Sequence, residues 1–409
     1  MKKAFLFLIT AIVLVGCSSN EPIAPVNEQN SDTLSPYTEI IERANWYYSQ
    51  LNKETRSASP KVRNIELLSN QATRSDVNDS IVNPIYYIVN YEDEAGFVML
   101  GGNESAEPLA AISDEGNLSF SDTTNNPGLA AFINEISRPT ITVPSPILPV
   151  DSVIDMPLKS LNVKPLLHSN VRKWGLGAPF NSGMPIIEES NVRAKINDTQ
   201  LALLMAMTYH KWPNTTVSSD YNYDWEGIIN TPTHPQIGLI LKLIGLSGGL
   251  EVTYGANKST ANPDNIANAA FLMAYNCESF GKTLANFDVS SAEKIKSQLP
   301  LIMWGYKNSK FKSTRATWVI DGFLQVYHPE NAETGESKQN KFYLHCVWGN
   351  YGIGNGYFLL DRLDHIGGDR YSKDSTDGTF EGYEDTNSVV EYKDNSYMYK
   401  IYPMPMMGI

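Results

Sequence analysis

The segment Thr199 to Lys211 limits the fold more than any other part of the chain. Leu201, Ala202, Leu203, Leu204, Met205, Ala206 and Met207 stand there in one run. A helix that is apolar on every side has no face to offer water, so it belongs at the centre of a domain. Asp198 stands directly before it, as an N-cap would, and Pro213 closes it. A second helical pattern spans Pro235 to Leu246. Strand-type runs follow at Leu301 to Trp304, Thr317 to Ile320, Phe342 to Leu344 and Gly356 to Leu360, separated by Gly and Asn turns. Helices first and strands later predict an α+β domain of two lobes, running from Pro165 to the end. With 42% hydrophobic residues, the chain has material for a sizeable core.

Upstream, Pro139, Pro144, Pro146, Pro149 and Pro157 fall between Arg138 and Lys164. That density favours an extended linker, or an arm lying across another surface, at 139–164. A small α+β unit is expected before it, at 37–138. Ile40, Ile41, Ala44, Tyr47 and Tyr48 share one helical side within Tyr37 to Leu51. Ile85 to Asn90 and Phe97 to Leu100 flank a turn and read as a hairpin. Leu109 to Ile112 is strand-like, Leu129 to Ile136 a short helix, and the polar stretch Asn52 to Asp79 a loop. At the N-terminus, Lys2 and Lys3 precede an apolar run from Ala4 to Val15, the form of an export signal at 1–16. The run ends Leu14-Val15-Gly16-Cys17 and resembles a bacterial lipobox. Lipidation of Cys17 would hold the protein at a membrane through a flexible tether at 17–36. The expected location is therefore that of an exported bacterial lipoprotein, at the outer membrane or cell surface.

The formal net charge of −13 argues against nucleic acid as a partner. Besides Cys17, the cysteines are Cys277 and Cys346, which could form at most one disulfide and whose apolar surroundings favour buried thiols. Asp361, Asp364, His365 and Asp369 cluster, but their spacing fits no metal motif and a solvated loop is favoured. No cofactor is expected.

The motifs of the later region accumulate in one order. Lys164-Pro165-Leu166-Leu167 comes first, then Trp174-Gly175, Ala178-Pro179-Phe180-Asn181, and the buried helix ending Tyr209-His210-Lys211-Trp212-Pro213. Tyr223-Asp224-Trp225 and Tyr254-Gly255 with Ser259 follow. Val319-Ile320-Asp321-Gly322-Phe323, Trp348-Gly349, Gly356-Tyr357-Phe358 and Ile401-Tyr402-Pro403 complete the series. This order resembles the streptopain family of bacterial cysteine peptidases. The resemblance implies a papain-like two-lobed fold over 165–409. Pro84 to Asn90 with Gly96-Phe97-Val98 carries a similar likeness to that family's inhibitory prodomain over 37–138.

Thiol proteolysis needs a nucleophile, a base, a group orienting the base, and donors for the oxyanion. In the family the cysteine opens the buried helix, where the helix dipole favours a thiolate. Counting back from Tyr209-His210 puts Asp198 in its place, and no cysteine lies between Cys17 and Cys277. Counting back from Asp321-Gly322 puts Ala316 in the place of the histidine. Leu176 stands after Trp174-Gly175, where the family has its oxyanion glutamine. Val347 stands before Trp348, where it has the orienting asparagine. Cys346 with His345 or His328 as base is disfavoured as a relocated pair; strand neighbours point to opposite faces, so His345 and Cys346 should not meet. The leading expectation is therefore a non-catalytic pseudopeptidase that binds a peptide or protein, with Trp174, Trp318 and Trp348 as candidate groove residues. The alternatives are a hydrolase of altered chemistry, with Asp198 as acid or base, and a first unit that inhibits related peptidases.

Overall fold

The computed structural model describes residues 26–27, 35–51, 60–69, 84–103, 106–137, 159–213, 222–273, 300–309, 312–327, 341–359 and 397–403. The elements run β1 (Val26–Asn27), α1 (Thr38–Leu51), β2 (Val62–Ser69), β3 (Pro84–Tyr91), β4 (Phe97–Gly101), β5 (Leu109–Ser113), α2 (Pro127–Ile136) and β6 (Lys159–Val163). Then come α3 (Ser169–Arg172), β7 (Ile186–Ile187), β8 (Val192–Arg193), α4 (Asp198–His210), α5 (Trp225–Asn230), α6 (Pro235–Ile244) and α7 (Ile266–Leu272). β9 (Leu301–Ser309), β10 (Lys312–Tyr327), β11 (Lys341–Val347), β12 (Gly356–Leu359) and β13 (Tyr397–Pro403) complete the α+β fold.

One antiparallel sheet runs through the molecule in the order β1-β2-β3-β4-β5-β12-β11-β10-β9-β13, with β6 added beside β10. The strands of the first unit thus continue directly into those of the second, through Tyr357 opposite Ile112 and Phe358 opposite Ala111. β2 lies inside the stretch expected to be a loop. Polar Arg63, Asn64 and Glu66 break its apolar alternation, yet Glu66 is buried, because Ser119 Oγ and the Phe120 N–H donate to its carboxylate. Lys159–Val163, the end of the expected linker, pairs with β10 as an arm across its far half.

The long strand β10 organises the core. Its register slips between Ile320 and Gly322, a bulge at Asp321. A bulge reverses which residues face which side. Ahead of it Ala316, Trp318 and Ile320 enter one hydrophobic cluster and Val319 another. Beyond it Phe323 belongs with the first set. That first cluster joins α2, through Leu129, Phe132 and Ile136, to Trp318, Trp348 and Phe358. On the opposite face, odd residues of β11 run through three environments. Tyr343 packs with Ala44 and Tyr48 of α1, His345 lies between, and Val347 enters the core around α4. Only the core around α4 is built wholly from residues after 165; the other two draw on both units.

α4 is buried from Thr199 to Thr208, as an all-apolar helix must be. Its N-cap is Asn197, which corrects the assignment of that role to Asp198. The Asn197 side chain accepts from the Thr199 N–H at 3.0 Å, and the Asn197 N–H donates to Gln200 Oε1 at 3.0 Å. This reciprocal pair is a capping box, and it begins the helix one residue earlier than the apolar run suggests. Among the described residues, no helix is long and apolar enough to cross a membrane.

Candidate functional site

The start of α4 faces β10 at Thr317, and Asp198 stands at that contact. As first residue of the helix, Asp198 accepts from the Thr199 N–H at 2.8 Å through Oδ1. Through Oδ2 it accepts from the Thr317 N–H of β10 at 3.1 Å. The hydroxyls of Thr199 and Thr317 meet at 2.8 Å beside it. Helix and strand are therefore joined by a carboxylate and a pair of buried hydroxyls. Burial pushes the Asp198 carboxyl above the ordinary Asp value, against the pull of Lys258 and of the Thr317 and Thr199 donors. The group holds two chain segments together and already carries its hydrogen bonds.

The other positions read by counting lie around this point without forming one open groove. Ala316 is next to Thr317, but strand alternation turns its side chain to the other face, where it is buried in the cluster with Trp318 and Trp348. Val347 is opposite Val319 and fully buried in the core around α4. Leu176 is half-buried at the edge of that core, and its carbonyl accepts from the Ile196 N–H at 2.8 Å, two residues before Asp198. No histidine is among the partners of Asp198 or Thr317.

The groove expected from the three indoles is corrected by burial. Trp174, Trp318 and Trp348 are 1%, 2% and 6% exposed, so none lines an open surface. Trp318 and Trp348 pack at 5.2 Å between ring centres, under the start of α2. A Cβ on Gly128 would lie 2.6 Å from the Trp348 ring, so glycine is needed for the helix to come this close. Beside Trp174, Tyr351 adopts φ +58° and its ring covers Gly175. Its hydroxyl accepts from the Gly177 N–H at 2.9 Å. The loop next to Leu176 is thus closed by a side chain of the same protein.

With this geometry in place, comparison with known proteins adds the following. Residues 37–139 match a family described as Spi protease inhibitor. A fragment of Prevotella intermedia prointerpain A is similar, at 18% identity and a TM-score of 0.45, covering 79% of this chain and 96% of that one. The active wild-type interpain A cysteine protease from Prevotella intermedia is similar at 17% identity and a TM-score of 0.35, covering 49% of this chain and 87% of that one. No curated protein matches.

The remaining candidates fall as follows. Cys17, Cys277, His328, Asp361, Asp364, His365 and Asp369 lie outside the described residues. Cys346 is a free, buried thiol; burial, and then the Asp321 charge, push it well above the usual cysteine range. A thiol held neutral in this way is no nucleophile. His345 and Cys346 point to opposite faces, as alternation requires. The described residues contain no group of three or more His, Cys, Asp or Glu side chains that could hold a metal ion.

Two polar devices escape a residue count. Asp321 and His345 meet at 2.5 Å between Oδ1 and Nδ1, with both side chains buried, and Asp321 Oδ2 accepts from the Leu167 N–H at 3.0 Å. Arg172 grips Glu115 with two hydrogen bonds, of 2.6 and 2.8 Å, and donates to the Leu167 carbonyl. The first pair carried a signal, since Asp-Gly inside a strand marks a bulge. The second carried none, because its members lie in different units.

Proposed function

We propose that this chain is a non-catalytic relative of a cysteine peptidase, which holds a peptide or protein without cleaving it. The observation that carries the reading is the engagement of Asp198, at the helix start where a nucleophile would stand, with the Thr317 and Thr199 N–H groups. A carboxylate committed in this way attacks nothing, and the side chain at 316 is a methyl group facing elsewhere. Losing one member of a nucleophile–base pair costs about 10⁴–10⁶ in rate. Losing an oxyanion donor from an otherwise intact site costs about 10²–10³. The test is turnover of an unfolded protein and of short peptides under reducing conditions. No cleavage is expected, and cleavage that iodoacetamide abolishes ends the proposal.

A second reading is favoured by the match of residues 37–139 to a protease-inhibitor family. On this reading the chain restrains a separate cysteine peptidase. Titrating the intact chain into an active papain-like peptidase tests it; undiminished turnover at high excess removes it.

We also propose that the chain is exported and lipidated at Cys17, on the strength of the basic start, apolar run and Gly16-Cys17 junction. Incorporation of labelled palmitate, lost in Cys17→Ser, is the expected result. Unchanged labelling contradicts it.

A further inference from the structure

Proteins assembled from an N-terminal unit, a proline-rich connection and a second unit invite the idea that cutting the connection releases one from the other. The surfaces that meet here speak against release. The sheet passes from β5 to β12 without an edge, and Gly356 allows that approach, since a Cβ there would lie 2.9 Å from Ser113 Cβ. Phe132 of α2 stands edge-on to Phe358 of β12 with ring centres 4.9 Å apart. Gly128 lies on Trp348. On the other face, the Tyr343 hydroxyl donates to the Leu109 carbonyl at 3.1 Å, in the cluster that α1 covers. Glu115 and Arg172 close the boundary with two charge-assisted hydrogen bonds, and the Gly354 N–H donates to the Asn117 carbonyl.

Each of these contacts joins a residue before 138 to one after 159. Separation would bare Trp318, Trp348, Phe358 and the backbone of β12 together. It would also leave Arg172 and Glu115 to be rehydrated singly. An interface built as a core cut in two is the mark of an obligate association. Exposed apolar patches larger than a few hundred Å² are rare on free soluble chains.

We propose that the two units form one obligate assembly, so that cutting the chain between Ser137 and Lys159 leaves them bound and the Trp318–Trp348 surface covered. The first unit is then a permanent subunit of the second. Any ligand must bind the joined surface rather than a cleft uncovered by processing. This stands on the packing alone and does not depend on whether the protein cleaves peptides.

The experiment inserts a recognition sequence for a site-specific protease after Leu148 of the full chain. The cut protein is followed by size-exclusion chromatography with mass detection. Expected is one species holding both fragments in equal amounts at about 1 μM, the weak end for interfaces of standard size, with separation only in denaturant. Elution of either fragment alone, or precipitation of the later one, overturns the proposal. Gly128→Leu and Arg172→Gln are made in the same background. Before cutting, the connection keeps the units at high effective concentration, so the uncut variants remain assembled. After cutting, each is expected to dissociate at least about tenfold more readily. Unchanged dissociation in both variants removes the structural basis of the claim.

Discussion

Two aspartates bear on the same strand at positions four residues apart, Asp198 at Thr317 and Asp321 within the strand itself, and their surroundings differ in kind. Asp321 sits at the bulge of β10, buried with a histidine on one oxygen and the Leu167 N–H on the other. Asp198 reaches β10 from the end of α4 and finds backbone N–H groups and threonine hydroxyls. Around Asp321 the neighbourhood holds a titratable partner, a bulge, and a glycine that fits where a Cβ would crowd His345 at 2.8 Å. Around Asp198 the hydrogen-bond partners are backbone N–H groups and a threonine hydroxyl, the charge of Lys258 is outweighed by burial, and the neighbouring strand position is an alanine. The lesson is that a buried carboxylate supports reactivity only through the company it keeps. The Asp321 pair is shut inside the fold, and the Asp198 carboxylate is committed to joining helix to strand.

The comparison breaks most visibly if Asp321 proves dispensable. Asp321→Ala leaves a buried imidazole and a buried Leu167 N–H without their acceptor. Removing one partner of a buried pair costs about 3–5 kcal/mol. Urea denaturation of the full chain should show that loss in a single transition. A cost under about 1 kcal/mol would mean that the Asp321–His345 pair contributes little to holding the fold.

Arg172 comes next. Arg172→Ala leaves Glu115 partly buried without its charge partner, at a cost of about 2–3 kcal/mol. Burial alone would raise the Glu115 carboxyl, but the hydrogen bonds and charge of Arg172 outweigh it and hold the group below the usual carboxylate range. A depressed folded pKa stabilises the protein above the unfolded Glu value of about 4.3, and the contribution is lost as pH falls through the lower folded value. Acid unfolding curves of the parent should carry that component below about pH 4.3, and Glu115→Gln should lack it. Identical curves for the two proteins would assign the acid sensitivity to other groups.

How much of this could be read from the chain follows the same divide. The burial of α4 was legible because an apolar run on all sides has one solution. The hairpin of β3 and β4 was legible because a turn separates two β-rich runs. β2 was not, because its buried Glu66 is made tolerable by Ser119 and Phe120, which lie far along the sequence. Asn197 does not stand out as the cap because Asp198, next to it, fits the same preference. The burial of Trp318 and Trp348 depends on Gly128, a residue of the other unit that no local pattern connects to them. Contacts made across the sheet are set by tertiary packing, which local periodicity does not record.

Thr317 and Asp198 give the smallest effects and the sharpest test of the comparison. Thr317→Val keeps the shape but leaves the Thr199 hydroxyl with only its long contact to Asp198 Oδ1 at 3.5 Å, a loss of about 1 kcal/mol. Asp198→Asn removes the charge and keeps one acceptor oxygen where two served the Thr199 and Thr317 N–H groups, turning its amide NH2 toward the other. Its cost at neutral pH should be about 1–2 kcal/mol for the N–H left without an acceptor, reduced because the desolvated charge it removes is itself unfavourable. The sign of the pH dependence separates this from a charge held by an attractive partner. A carboxyl whose folded pKa is raised stabilises the protein below its unfolded value and loses that contribution as pH rises toward the folded value. The parent should therefore become less stable, relative to Asp198→Asn, as pH climbs from about 3.9, whereas Glu115 acts in the opposite direction. If Asp198→Asn instead loses more than about 3 kcal/mol at neutral pH, the pull of Lys258 outweighs the effect of burial. The contrast between the two aspartates then fails, because Asp198 would depend on a titratable side chain as Asp321 does on His345.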